Sequence, residues 1–185
     1  MGEDGACDVG TIRLQLGAGG ATGITGWALR GVPSGPIDGL ATIASDAPPR
    51  APAPAHPNRA IGIDHVVVAT PDLERTLAEL AARGFDLRRT RDAGPHLRQA
   101  FYVIGDALLE VVGPPAAEPG TAGQPARFWG LTLVVDDLDA ACARLGDLAG
   151  EPRDAVQPAR RIATVARAAG LGTPLALMTP RPRRR

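Results

Sequence analysis

The sequence predicts an α+β fold built from a duplicated strand–helix–strand–strand unit. Two matching passages and the strands behind them carry this reading. Residues 62–74, GIDHVVVATPDLE, run from strand to helix, and residues 130–139, GLTLVVDDLD, repeat the pattern without the histidine. Each is followed by two further strand-like runs. Aligning Asp72-Leu73 on Asp137-Leu138 sets His65 opposite Gly130, Val66 opposite Leu131 and Arg98 opposite Arg161. Two units of about fifty residues amount to an internal duplication.

In the first unit, Ile63, His65 and Val67 fall on one face of the opening strand, and Val66 and Val68 on the other. Thr70 suits an N-cap and Pro71 the first helical position. Leu73, Leu77 and Leu80 share a helical face, and Gly84 ends the helix at C′. RQAFYVI and ALLEVV follow as strands, joined through Gly105 and Asp106. In the second unit FWGLTLVV is the strand and Asp136 or Asp137 the cap. Leu138, Cys142 and Leu145 line the buried side of the helix, which stops before Gly146. RRIATVAR and TPLALM close the unit.

These units occupy residues 61–115 and 125–180. Residues 1–45 form an extension with short strands, for which TIRLQL and ITGWAL are the candidates around a glycine-rich turn. Residues 46–60, DAPPRAPAPAHPNRA, read as an extended proline-rich linker in which His56 is exposed. Residues 181–185 are a solvated basic tail. GAGGATG, residues 17–23, invites a dinucleotide-binding reading but fails it: Thr22 stands at the third glycine and no helix pattern follows. A turn or loop is expected there instead.

Twenty basic residues balance twenty acidic ones, so no net field draws in nucleic acid or an anionic membrane. Every basic residue is arginine. Without lysine, Schiff-base catalysis, a PLP anchor and a Walker-type phosphate lysine are excluded. Cys7 and Cys142, far apart, suggest neither a zinc site nor a disulfide. The start, MGEDGACDVG, is acidic and unlike a signal peptide, and no apolar run approaches a membrane span. The expected location is the cytoplasm, and the expected partner a small-molecule ligand.

IDHVVVATPDL, ALLEVVGP and FWGLTLVVDDLDAA resemble the vicinal oxygen chelate superfamily of glyoxalases, extradiol dioxygenases, methylmalonyl-CoA epimerase and bleomycin-resistance proteins. The resemblance implies two βαβββ modules whose curved sheets enclose a cavity in a half-barrel. It also implies a divalent metal held by one residue from the first and one from the last strand of each module. His65 and Glu110 match the two positions of module one. In module two Gly130 stands at the first, and the last strand offers only Leu177 or its neighbours.

The chemistry of the pair also follows from the residues themselves. A bare carboxylate at Glu110, among Leu108, Leu109, Val111 and Val112, costs several kcal/mol unless paired or metal-bound. Imidazole and carboxylate suit zinc, nickel, manganese or iron. A third ligand would come from His96, Gln99, Gln157 or the N-terminal segment. The alternatives are a metal-free acid–base pair, or an imidazole bonded to a backbone carbonyl beside a carboxylate paired with it or with an arginine. Arg98 and Arg161 are candidates to clamp a ligand carboxylate or phosphate, or else belong to solvated strand faces. Gln99, Phe101 and Thr132 are further candidate substrate contacts. Phe101, Tyr102, Phe128 and Trp129 are core residues or a platform for an apolar substrate.

The expected function is a glyoxalase-like enzyme, a metal-assisted lyase, isomerase or hydrolase of a small oxygenated metabolite. The competing expectation is a binding protein that sequesters its ligand without chemistry. A homodimer is among the expected assemblies, since such modules pair within a chain or between chains.

Overall fold

The computed structural model describes residues 5–17, 20, 22–53, 56–117, 119–121 and 123–182. The chain divides into two compact units. One comprises residues 1–23, 49–64 and 131–185, the other residues 24–48 and 65–130.

The second of these holds the first repeat. β5 (Ala60–Ala69) runs into it and pairs in parallel with β8 (Ala107–Gly113), setting His65 beside Leu108 and Val67 beside Glu110. β7 (Arg98–Ile104) lies antiparallel to β8 through the Gly105 turn, and β6 (Leu87–Asp92) pairs with β7 at the edge. β6 has no apolar alternation in LRRTRD, so the residues alone do not mark it as a strand. A bulge between Leu87 and Arg89 shifts its register, and such a shift changes which face each side chain takes.

α1 (Leu73–Ala82) begins at Asp72, not Thr70: the Asp72 side chain accepts from the Arg75 N–H. The Thr70 hydroxyl accepts from the Asp72 N–H at 3.1 Å, so the threonine shapes the turn before the helix. The other end is as expected. Gly84 (φ +82°) donates to Ala81 O and Phe85 to Leu80 O, closing the last turn.

Leu73 and Leu80 of α1 pack on Val68, Leu109, Val111, Ala100 and Tyr102, all on one face of the sheet. Ile37 and Leu40, from the segment read as an extension, are fully buried in the same core. Asp38 anchors that segment, accepting from Arg75 Nε at 2.9 Å and from the Thr76 hydroxyl at 2.5 Å. In this segment β3 (Trp27–Leu29) and β4 (Thr42–Ala44) form a short parallel pair.

The other unit holds the second repeat. β9 (Arg127–Val135) runs into it and pairs in parallel with β12 (Leu175–Met178); β11 (Arg161–Val165) and the two-residue β10 (Arg153–Asp154) follow antiparallel. α2 (Leu138–Leu145) is capped by Asp137, and its buried residues are Leu138 and Ala141, with Cys142 and Leu145 half-buried. Arg160 and Asp64 form a buried ion pair at 2.8 Å, and Arg160 also donates twice to Thr179 O. β1 (Ala6–Val9) and β2 (Ile12–Gln15) make a hairpin that turns at Gly10 and Thr11. TIRLQL therefore pairs backwards in sequence rather than across GAGGATG, whose Ala18, Gly19 and Ala21 lie outside the described residues. His56 is half-buried rather than exposed: its Nε2 sits 2.7 Å from Asp8 O, tying the proline-rich stretch to the hairpin.

The repeat holds at the level of register. Val67 faces Glu110 across β5 and β8, and its counterpart Thr132 faces Ala176 across β9 and β12. Ala176, next to Leu177, therefore stands where module one has Glu110. Arg98 faces Gly113, and Arg161 stands correspondingly beside Thr179, its carbonyl accepting from the Thr179 N–H.

Candidate functional site

Side chains on neighbouring strands at the same register share a face. In the β5–β8–β7–β6 sheet, one face packs on α1. The other carries His65, Val67, Glu110, Gln99, Phe101, Arg89 and Arg91. A row of polar groups runs across it. His65 Nε2 lies 3.7 Å from Glu110 Oε2, both side chains nearly buried at 11% and 13% exposure. Gln99 Nε2 donates to Glu110 Oε1 at 2.5 Å, and Gln99 Oε1 accepts from Arg91 Nε at 2.9 Å and from a terminal nitrogen of the same guanidinium.

The chemistry of arginine fixes this row. A guanidinium only donates, so the amide atom facing Arg91 is the oxygen, and the NH2 must face Glu110. Glu110 then has one oxygen held by the amide and the other turned toward the imidazole. Such an arrangement can accept a proton at Oε2 and hold one at His65.

The remaining candidates sort by face. Phe101 is buried on the site face under the Arg89 guanidinium, which lies 4.7 Å from the ring centroid. Arg98 falls on the opposite face, paired with Asp92 at 2.7 Å, and Arg161 pairs with Asp139 of α2 at 2.8 Å. Both arginines are thus engaged by a carboxylate. His96 is exposed in the β6–β7 connection. Thr132 and Gln157 belong to the other unit, Thr132 buried beside Ala176 and Gln157 half-buried before β11. Tyr102 packs in the core on the α1 side, Phe128 lies edge-on to Trp27 at 5.1 Å, and Trp129 is 49% exposed. Arg89 and Arg91 were missed by sequence reasoning. Their two-residue spacing in RRTR was the available signal, hidden because the run lacks apolar partners.

Glyoxalase/Bleomycin resistance protein/Dioxygenase superfamily is the family description that matches residues 64–164, just over half of the chain. The chain belongs to this superfamily. Solved structures agree on its fold. The chain is similar to methylmalonyl-CoA epimerase from Mycobacterium tuberculosis, at 20% identity and TM-score 0.53, covering 69% of this chain and 93% of that one. It is similar to a hypothetical protein from Bacillus halodurans C-125 at 14% identity and TM-score 0.53, covering 66% and 96%. A selenomethionine form of methylmalonyl-CoA epimerase matches at 20% identity and TM-score 0.51, covering 66% and 97%. A search among curated proteins found no match.

The divalent metal implied by the superfamily resemblance meets a poor donor set. Gly130 and Ala176 bring no ligating side chain. Turning the Gln99 oxygen toward a metal would press its NH2 against the Arg91 donors. His65 and Glu110 remain, whereas catalytic zinc takes three protein ligands. Among the described residues no group of three or more His, Cys, Asp and Glu side chains gathers. The described residues of this face do not by themselves fit a resident divalent metal.

Among the described residues no helix is long and apolar enough to cross a membrane.

Proposed function

We propose that this chain is a glyoxalase-like enzyme that moves a proton on a small oxygenated metabolite, as an isomerase or lyase. The observation that carries this reading is the approach of His65 Nε2 to Glu110 Oε2, 3.7 Å apart on one sheet face. Glu110 takes the proton from a carbon beside a carbonyl, and His65 donates a hydrogen bond to the oxygen where negative charge develops. Gln99 holds the carboxylate so that Oε2, not Oε1, meets the substrate. Two of the structural neighbours are methylmalonyl-CoA epimerases, and that name supports a one-carbon proton exchange as the reaction type.

The test is C–H exchange. The full chain, incubated in D2O with methylmalonyl-CoA and small α-hydroxy ketones, is followed by NMR. The proposal expects deuterium uptake at the carbon beside the carbonyl, lowered roughly 10²–10⁴-fold by Glu110→Gln. Metal analysis of the same sample runs alongside. Exchange with substoichiometric metal supports the acid–base pair, and a stoichiometric divalent metal lost on His65→Ala contradicts it.

A second reading, sequestration without chemistry, is favoured by Gly130 and Ala176 at the two positions where module one carries His65 and Glu110. It predicts ligand binding that survives His65→Ala, with no exchange in any variant.

A further inference from the structure

β6 puts cations on the site face by an irregularity of the strand. Leu87 is in register with Tyr102, on the α1 side, yet Arg89 is in register with Phe101, on the Glu110 side. In a regular strand these two residues would share a face. The bulge between them reverses that, and Arg91, two residues on beside Gln99, then joins Arg89. The other charges of the strand are spent locally: Arg88 pairs with Asp86 at 3.2 Å and Asp92 with Arg98 at 2.7 Å. Arg89 and Arg91 instead contact an aromatic ring and an amide oxygen, and among the described residues neither meets a carboxylate. Both contacts orient a guanidinium without neutralising it, which leaves its remaining donors available to an oxyanion.

We propose that Arg89 and Arg91 form an oxyanion-binding arm of the site, so that the substrate carries a carboxylate or phosphate group. This deepens the reading of His65 and Glu110 as the reacting pair and rests on it for the position of the reacting carbon. β6 stands two strand spacings, about 10 Å, from β8. The oxyanion therefore docks at the sheet edge, several bonds from the carbon over Glu110. Separation matters, because an anion placed directly against the Glu110 carboxylate would be repelled. Arg91 has a double role, since the guanidinium that meets the substrate also fixes the Gln99 amide.

Titration calorimetry on the full chain tests the arm with three probes: succinate, inorganic phosphate and neutral succinamide. Binding of succinate or phosphate but not succinamide, weakening with added salt, is the expected result, and whichever anion binds identifies the group. Arg89→Met keeps an apolar contact on Phe101 while removing the charge, and Arg91→Gln removes the second. Each is expected to weaken the anion roughly 10-fold or more, with thermal unfolding unchanged in Arg89→Met. Equal binding of succinamide, no binding of either anion, or full affinity in both variants would overturn the inference. His65→Ala separates it from the proposed reaction: anion affinity persists there while exchange is lost. Anion binding with no exchange even in the unaltered chain would leave the arm standing and sink the reaction.

Discussion

Burial sets the behaviour of one residue and one ion pair strongly enough to measure. Burial pushes the Tyr102 phenol up from 10.0 to about 12. Below 10.0 the phenol is protonated in both the folded and unfolded chain, so it adds no pH dependence. Above 10.0 the unfolded chain releases the proton and the folded chain keeps it, so stability falls as pH rises toward about 12. Tyr102 is the only tyrosine, and tyrosinate absorbance therefore reports it alone. The absorbance is expected to appear together with unfolding, and Tyr102→Phe to flatten this part of the alkaline loss. The Arg160–Asp64 pair behaves differently. With both side chains nearly sealed from water at 3% and 2% exposure, breaking it takes from the buried Asp64 carboxylate its closest cation and leaves it Arg181 Nε at 3.8 Å. Arg160→Leu should lower the urea-derived stability by about 3–5 kcal/mol, and adding Asp64→Leu should recover most of that loss.

Single elements show where sequence patterns were readable and where they were not. Helix ends announced themselves through caps and glycines: Asp137 and Gly84 took the expected roles. The start of α1 moved two residues because Thr70 and Asp72 both offer a capping oxygen, and only Asp72 reaches the Arg75 N–H. The strands β5, β7, β8 and β9 were legible because alternation and β-branched residues mark strands with a buried face. β6 was not, since an exposed edge strand made of arginines has no hydrophobic period. The segment around Ile37 and Leu40 was equally opaque. Its two buried residues stand three apart, a helical spacing, but they sit among Gly, Pro and Asp, which break any helix, so the spacing marks no element. Their burial against α1 still predicts a large effect. Leu40→Ala should cost about 2–5 kcal/mol by urea denaturation, although the residue lies far upstream of the recognisable repeat. A loss under a few tenths of a kcal/mol, the size of an ordinary surface substitution, would show that the segment does not belong to the core.

At the scale of the whole molecule, duplication explains both the fold and the asymmetry of its chemistry. The same register recurs in β5–β8 and β9–β12, yet His65 and Glu110 have Gly130 and Ala176 as counterparts. The sequence made this pair legible because a histidine and a glutamate stand out within apolar strands. Gln99 was one of several candidates, and its role emerged only when pairing placed it beside Glu110. The central claim is that His65 and Glu110 act as one device, and groups acting as a unit lose activity non-additively. The decisive measurement compares C–H exchange rates in D2O for His65→Ala, Glu110→Gln and the double variant. A double variant no slower than the worse single variant is the predicted result. Losses that multiply, or a full rate in either single variant, would contradict it.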